Sequence, residues 1–148
     1  AEIIIDRCGW TAIETFQTIH NYIDVNEMIL RKGSVSAKAG EKLLIPINMR
    51  DGSLICIGKG NEDWNFSAPH GSGRVMSRTA ARRNLTMKGF KQEMQGVYST
   101  CITPDTIDES PSAYKPTQQI VESVTPTCRI LYILKSKINL KATNNVTL

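Results

Sequence analysis

Histidine is scarce in this chain: His20 and His70 are the only two among 148 residues. A site built on a histidine cluster therefore has no complete set here. The four cysteines, Cys8, Cys56, Cys101 and Cys128, are scattered and form no C-x-x-C pair, which argues against a zinc ribbon or a redox dithiol. Two disulfides would satisfy the count, but no spacing supports them. The plainer reading is reduced, buried thiols of a cytoplasmic protein. No apolar run approaches the ~20 residues of a membrane-spanning helix. The opening Ala1-Glu2-Ile3-Ile4-Ile5-Asp6 lacks the basic start and long apolar core of a signal peptide. It also lacks a methionine, so the chain reads as the interior of a longer protein. No repeat, low-complexity tract or linker interrupts it.

Acid is missing from one stretch. Between Trp64 and Gln92 there is no Asp or Glu, yet Arg74, Arg78, Arg82, Arg83, Lys88 and Lys91 all fall there. A solvated basic helix face would look like this, and so would a surface for a polyanion. Net charge is only +4, with 41% hydrophobic and 22% charged residues, ordinary for a globular chain.

The hydrophobic pattern predicts an α+β domain dominated by β structure. Apolar spacings of three and four predict a helix over Trp10–Ile23. Met28–Ala37, Lys42–Met49 and Ser53–Gly58 read as strands, with Asp51-Gly52 as a hairpin turn. Gly58–Gly73 reads as a loop. Ser77–Asn84 reads as a helix with Gly89 near its possible end, and Gln95–Ile102 as a strand. Pro104–Pro116 reads as an acidic loop, Thr117–Val124 as a short helix, and Arg129–Leu140 as a strand or hairpin. Residues 1–142 form one unit, followed by a 143–148 tail.

Within the acid-free stretch lies Pro69-His70-Gly71-Ser72-Gly73-Arg74-Val75-Met76-Ser77-Arg78. Gly71 and Gly73 allow backbone amides to approach an anion closely. Arg74 and Arg78 carry planar, permanently charged forks suited to phosphate oxygens. A helix beginning near Arg74 would put Arg74, Arg78 and Arg82 on one face. His70 is the strongest nucleophile of the loop, since the Ser72 hydroxyl is weaker.

This segment resembles the His-Gly-(Ala/Ser)-Gly-Arg-x-x-Ser-Arg motif of RtcB-type RNA ligases. Further segments are similar in the same order. His20-Asn21 matches a His-Asn motif and Arg31-Lys32-Gly33 an Arg-Lys-Gly motif. Pro46-Ile47-Asn48-Met49-Arg50-Asp51-Gly52-Ser53 stands in the place of a Pro-Gly-Ser-Met-Gly segment. Asp108-Glu109-Ser110-Pro111-Ser112-Ala113-Tyr114-Lys115 resembles Asp-Glu-x-Pro-x-Ala-Tyr-Lys, and Lys141-Ala142 a terminal Lys-Gly. The resemblance implies a ligase that joins a 3′-phosphate or 2′,3′-cyclic phosphate RNA end to a 5′-hydroxyl end, using GTP and manganese (Mn2+). His70 would be the residue that is guanylylated. Asn21, Pro46, Ile47, Asn48, Met49, Ser53, Gly71, Ser72, Gly73, Tyr114 and Lys141 would bind GTP or GMP, with Tyr114 packing near the guanine and Lys141 contacting the base. Lys32, Arg74 and Arg78 would bind phosphates or RNA, and His20 would be a metal ligand. RNA and GTP are the implied partners, together with an activating protein and the missing N-terminal part of the ligase.

The departures are specific. The family's Asp-x-Gly-Cys-Gly motif and its two further metal-binding histidines are absent, so the match covers only a C-terminal part. Ile47 and Arg50 replace glycines and Asn48 replaces a serine, which keeps hydrogen-bonding capacity but adds bulk. The alternative function is a non-catalytic GTP- or RNA-binding module derived from such a ligase.

Overall fold

The computed structural model describes residues 1–141; Ala142 and the 143–148 tail lie outside the described residues. In chain order the elements are α1 (Glu2–Cys8), β1 (Asn21–Asp24), β2 (Ile29–Lys32), β3 (Ser34–Ser36), β4 (Lys42–Asn48) and β5 (Gly52–Gly58). They continue with β6 (Ser67–Pro69), α2 (Arg78–Asn84), α3 (Met87–Glu93), α4 (Thr117–Ser123) and β7 (Cys128–Leu134). Short 3-10 turns cover Glu62–Trp64, Pro104–Glu109 and Pro111–Ala113. The fold is α+β, with small sheets that do not close.

The central sheet is antiparallel, in the order β4-β5-β7. Alternation explains its inner face: Leu43, Ile45 and Ile47 of β4 and Leu54 and Cys56 of β5 are all buried. Helix α4 covers that face with Ile120 and Val124, and Val35, Ala68 and Cys128 complete the cluster. A second core gathers Met49, Phe90, Met94 and Ile107 beneath α3 and the Pro104–Glu109 turn. Each fully buried Leu or Ile contributes roughly 1.5–3 kcal/mol. Together the two cores fix the hairpin that underlies the site.

Three expectations need correction. No helix spans Trp10–Ile23: residues 11–20 are irregular, and Asn21–Asp24 pair with β2. Trp10, Ile13, Ile19 and Ile23 are all exposed, so the apolar stripe finds no surface to bury against. A short helix without such packing is marginal. Met28–Ala37 breaks at Gly33, whose φ of +66° separates β2 from β3. Gln95–Ile102 is not a strand. Gly96 (φ +86°) turns the chain after α3, leaving one isolated parallel bridge between Tyr98 and Ile138.

Smaller differences follow the same logic. Gly89 lies inside α3 rather than at a helix end. The Gly58–Gly73 loop contains β6, and Pro104–Pro116 winds into the two later 3-10 turns. β7 ends at Leu134, short of Leu140. The β4–β5 hairpin and α2 form as expected, with Ser77 as the cap of α2. Among the cysteines, Cys56, Cys101 and Cys128 are buried and free, whereas Cys8 is exposed and free.

Candidate functional site

The His70–Gly73 loop lies against β4. The Ser72 N–H donates to the Pro46 carbonyl (3.1 Å), and the buried Ser72 hydroxyl donates to the Ile47 carbonyl (2.6 Å). A Cβ on Gly71 would stand 3.2 Å from the Pro46 oxygen, a tight contact that glycine avoids. Gly73 adopts φ +68° and turns the chain so that Arg74 bridges Tyr114 in antiparallel fashion.

His70 is held by Gly33. Its Nδ1 lies 2.6 Å from the Gly33 carbonyl oxygen. A carbonyl only accepts, so Nδ1 carries the proton and donates it, leaving Nε2 as the free end of the ring. The Gly33 N–H is itself shared between the His20 carbonyl (3.1 Å) and Asn21 Oδ1 (3.0 Å). The two imidazoles stack, with centroids 5.0 Å apart and planes 10° from parallel. Arg31-Lys32-Gly33 thus divides its work. Arg31 is buried and donates to the Ser67 and Tyr22 hydroxyls (3.0 Å each), Lys32 is exposed, and Gly33 sets the histidines.

A cavity of about 510 Å³ opens beside this loop. Pro46, Ile47, Asn48, Met49 and Ser53 line it from the hairpin. His70, Gly71, Ser72, Gly73 and Arg74 line it from the loop, and Tyr114 and Lys141 from the C-terminal third. His20, Asn21, Lys32 and Arg78 do not line it; His20 stacks on His70, which does. The bulk at Ile47 is turned into the first core. The Asn48 amide is largely spent on the turn: Nδ2 donates to Asp51 (2.9 Å), and Oδ1 accepts from the Arg50 and Asp51 N–H groups.

The cations of the site are held by carboxylates. Asp108 is fully buried, and its oxygens take Arg78 (2.8 Å) and Arg82 (2.7 Å). Arg78 and Arg82 share the α2 face, but Arg74 precedes the helix and reaches the same place through the Asp108 carbonyl (2.5 Å). Glu109 accepts from the Tyr114 hydroxyl (2.7 Å) and Lys141 (3.0 Å), and pairs ionically with Arg78 (3.0 Å). Burial opposes its charge, yet the hydrogen bonds from Tyr114 and Lys141 and the Lys141 and Arg78 charges prevail, holding this carboxyl below its ordinary range. Burial, then the Glu109 hydrogen bond and charge, push the Tyr114 hydroxyl up to about 12, so it stays a donor. The Arg74 guanidinium lies over the Tyr114 ring at 4.9 Å.

Gly33, Asp108, Glu109 and Asn139 were not singled out as site residues from the sequence. Asn139 lines the cavity, and its Oδ1 is buried with no hydrogen-bond partner among the described residues. Asp108 and Glu109 sit in a quoted motif and were visible there. Gly33 acts through its carbonyl, and Asn139 left no pattern to read.

The family model described as tRNA-splicing ligase RtcB matches residues 7–142. The chain belongs to the RtcB family. The RNA-splicing ligase RtcB of Escherichia coli is 33% identical over 137 residues, covering 88% of this chain and 33% of that protein. The tRNA-splicing ligase RtcB of Archaeoglobus fulgidus is 40% identical over 90 residues, covering 57% of this chain and 19% of that protein. For Aeropyrum pernix the figures are 36% over 88 residues, 56% and 18%. The chain therefore spans about a third of the E. coli RtcB and less of the other two.

The RtcB resemblance implies manganese. Among the described residues, no group of three or more His, Cys, Asp or Glu side chains is placed to hold a metal ion. His20 alone offers one imidazole, fewer donors than a manganese site uses. The described residues do not by themselves fit the ion. No helix among them is long and apolar enough to cross a membrane.

Proposed function

We propose that this chain carries the nucleophile and guanylate cavity of a GTP-dependent RNA ligase. The observation that supports this best is the His70–Gly33 hydrogen bond: it leaves Nε2 free on a ring that lines a 510 Å³ cavity. In this reading Nε2 attacks the α-phosphorus of GTP. A nitrogen–phosphorus bond forms, the bond to the bridging oxygen breaks, and pyrophosphate leaves. Nδ1 keeps its proton on the Gly33 carbonyl, which steadies the charge that develops on the ring.

An oxygen of the RNA 3′-phosphate then displaces the imidazole and takes the GMP. A 2′,3′-cyclic phosphate end is first opened by water to that 3′-phosphate. The 5′-hydroxyl attacks the activated 3′-phosphorus, loses its proton and releases GMP. Such an activity would serve tRNA splicing or RNA repair. The exposed portion of Arg78 and the exposed Lys32 would meet RNA phosphates. His20 would give a manganese ion one ligand, the others coming from outside the described residues, and the chemistry such an ion would supply is neutralisation of phosphate charge.

The ligand set supplied by the described residues favours a second reading, a GTP- or RNA-binding module without catalysis. Incubation with α-labelled GTP and manganese, with and without an E. coli RtcB segment covering the unmatched region, separates the two. Acid-labile label on the parent chain and none on His70→Ala supports the ligase. Salt-sensitive RNA binding with no label under either condition supports the module.

A further inference from the structure

We infer that Glu109 is a positioning residue of the nucleotide cavity, one carboxylate that fixes its base-side and phosphate-side groups relative to each other. This rests on the nucleotide reading above. The two oxygens divide the groups between them. Oε2 accepts from Tyr114 (2.7 Å) and Lys141 (3.0 Å). Oε1 faces Arg78 at 3.0 Å and Arg74 at 3.7 Å. Tyr114 and Lys141 are the groups that the family resemblance puts near the base, and the two arginines are those that it puts near phosphate. The Glu109 side chain is 13% exposed, so water competes weakly for these contacts.

Lys141 shows why such a tether matters. It follows β7 in an irregular segment, and its side chain is 39% exposed. A long, mobile lysine loses much rotamer freedom when it binds a ligand. Here it is held at both ends. The Cys101 thiol donates to the Lys141 carbonyl (3.1 Å), the Lys141 N–H donates to Cys101 Sγ (3.2 Å), and Glu109 takes the ammonium. Ordering the side chain before ligand arrives lowers the cost of binding. Asp108 cannot replace Glu109, because its oxygens are taken by Arg78 and Arg82.

The test is GMP and AMP affinity of the parent chain, Glu109→Gln and Glu109→Asp, measured by calorimetry beside thermal unfolding. Glu109→Gln keeps the shape and removes the charge. It is expected to weaken GMP at least tenfold and to narrow the preference for GMP over AMP, with Glu109→Asp recovering part of both. Unchanged or tighter GMP binding by Glu109→Gln overturns the inference, since Glu109 would then be filler or a competitor for the ligand. Should Glu109→Gln not fold, Lys141→Gln and Tyr114→Phe stand in for it; neither one altering the GMP preference overturns the inference equally. A parent chain that binds neither nucleotide defeats the nucleotide reading itself, and this inference with it.

Discussion

The two walls of the cavity are held in different ways. On one, His70 is fixed by a backbone carbonyl, that of Gly33. On the other, Arg74, Tyr114 and Lys141, together with Arg78 outside the lining, are fixed largely through Asp108 and Glu109. The carbonyl brings no net charge and only accepts, so it selects which imidazole nitrogen keeps the proton. The carboxylates compensate cations that would otherwise repel one another in a half-buried space. A nucleophile needs a defined lone pair, and an anion site needs ordered positive charge. Under the proposed function, each wall uses the holder suited to its task.

The largest effect is expected at Asp108. Asp108→Ala leaves Arg78 and Arg82 without their buried partner and is expected to cost about 2–3 kcal/mol, below the usual loss for a buried pair because both arginines are half-exposed. Chemical denaturation would show it, while the His70 tautomer stays unchanged. Gly33→Ala acts on the opposite wall. The φ of +66° costs a non-glycine residue about 1–2 kcal/mol, and the new Cβ would lie 3.5 Å from the His70 ring. It should slow guanylylation at least tenfold while leaving the arginine contacts intact; equal labelling rates would separate Gly33 from the chemistry.

A smaller effect lies in the turn beneath both walls. Arg50, then Asn48 and Thr117, hydrogen-bond Asp51 and hold it near 2, below its ordinary 3.8. Its stabilising contribution is therefore full above about pH 4 and is lost as pH falls from 3.8 through about 2. Melting temperatures at pH 5 and pH 2.5 should fall further apart for the parent than for Asp51→Asn. Smallest of all, Arg82→Ala should cost less than about 1 kcal/mol, since its side chain is 51% exposed and Arg78 still serves Asp108.

How much of this was legible in the sequence follows the same division. The side chains with chemistry to show, His70, Arg74, Tyr114 and Lys141, were readable from motifs, and the cavity gathers them. Their holders were harder to find. A carbonyl such as that of Gly33 has no residue-type signature, and the partnerless Asn139 oxygen emerges only when Tyr98 and Lys137 meet across the chain. The β4–β5 hairpin was legible because alternation and Asp51-Gly52 agree. Trp10–Ile23 misled because helical periodicity presumes a face to pack against, and Ile13 and Trp10 face solvent.

The central claim is that Gly33 presents His70 with Nε2 free toward the nucleotide cavity. Nitrogen NMR of the histidine-labelled chain, recorded before and after adding GMP, tests it most directly. The Nδ1–H tautomer for His70 and a GMP-dependent shift of its Nε2 signal are expected. An Nε2–H tautomer, or a His70 that ignores saturating GMP, would contradict it.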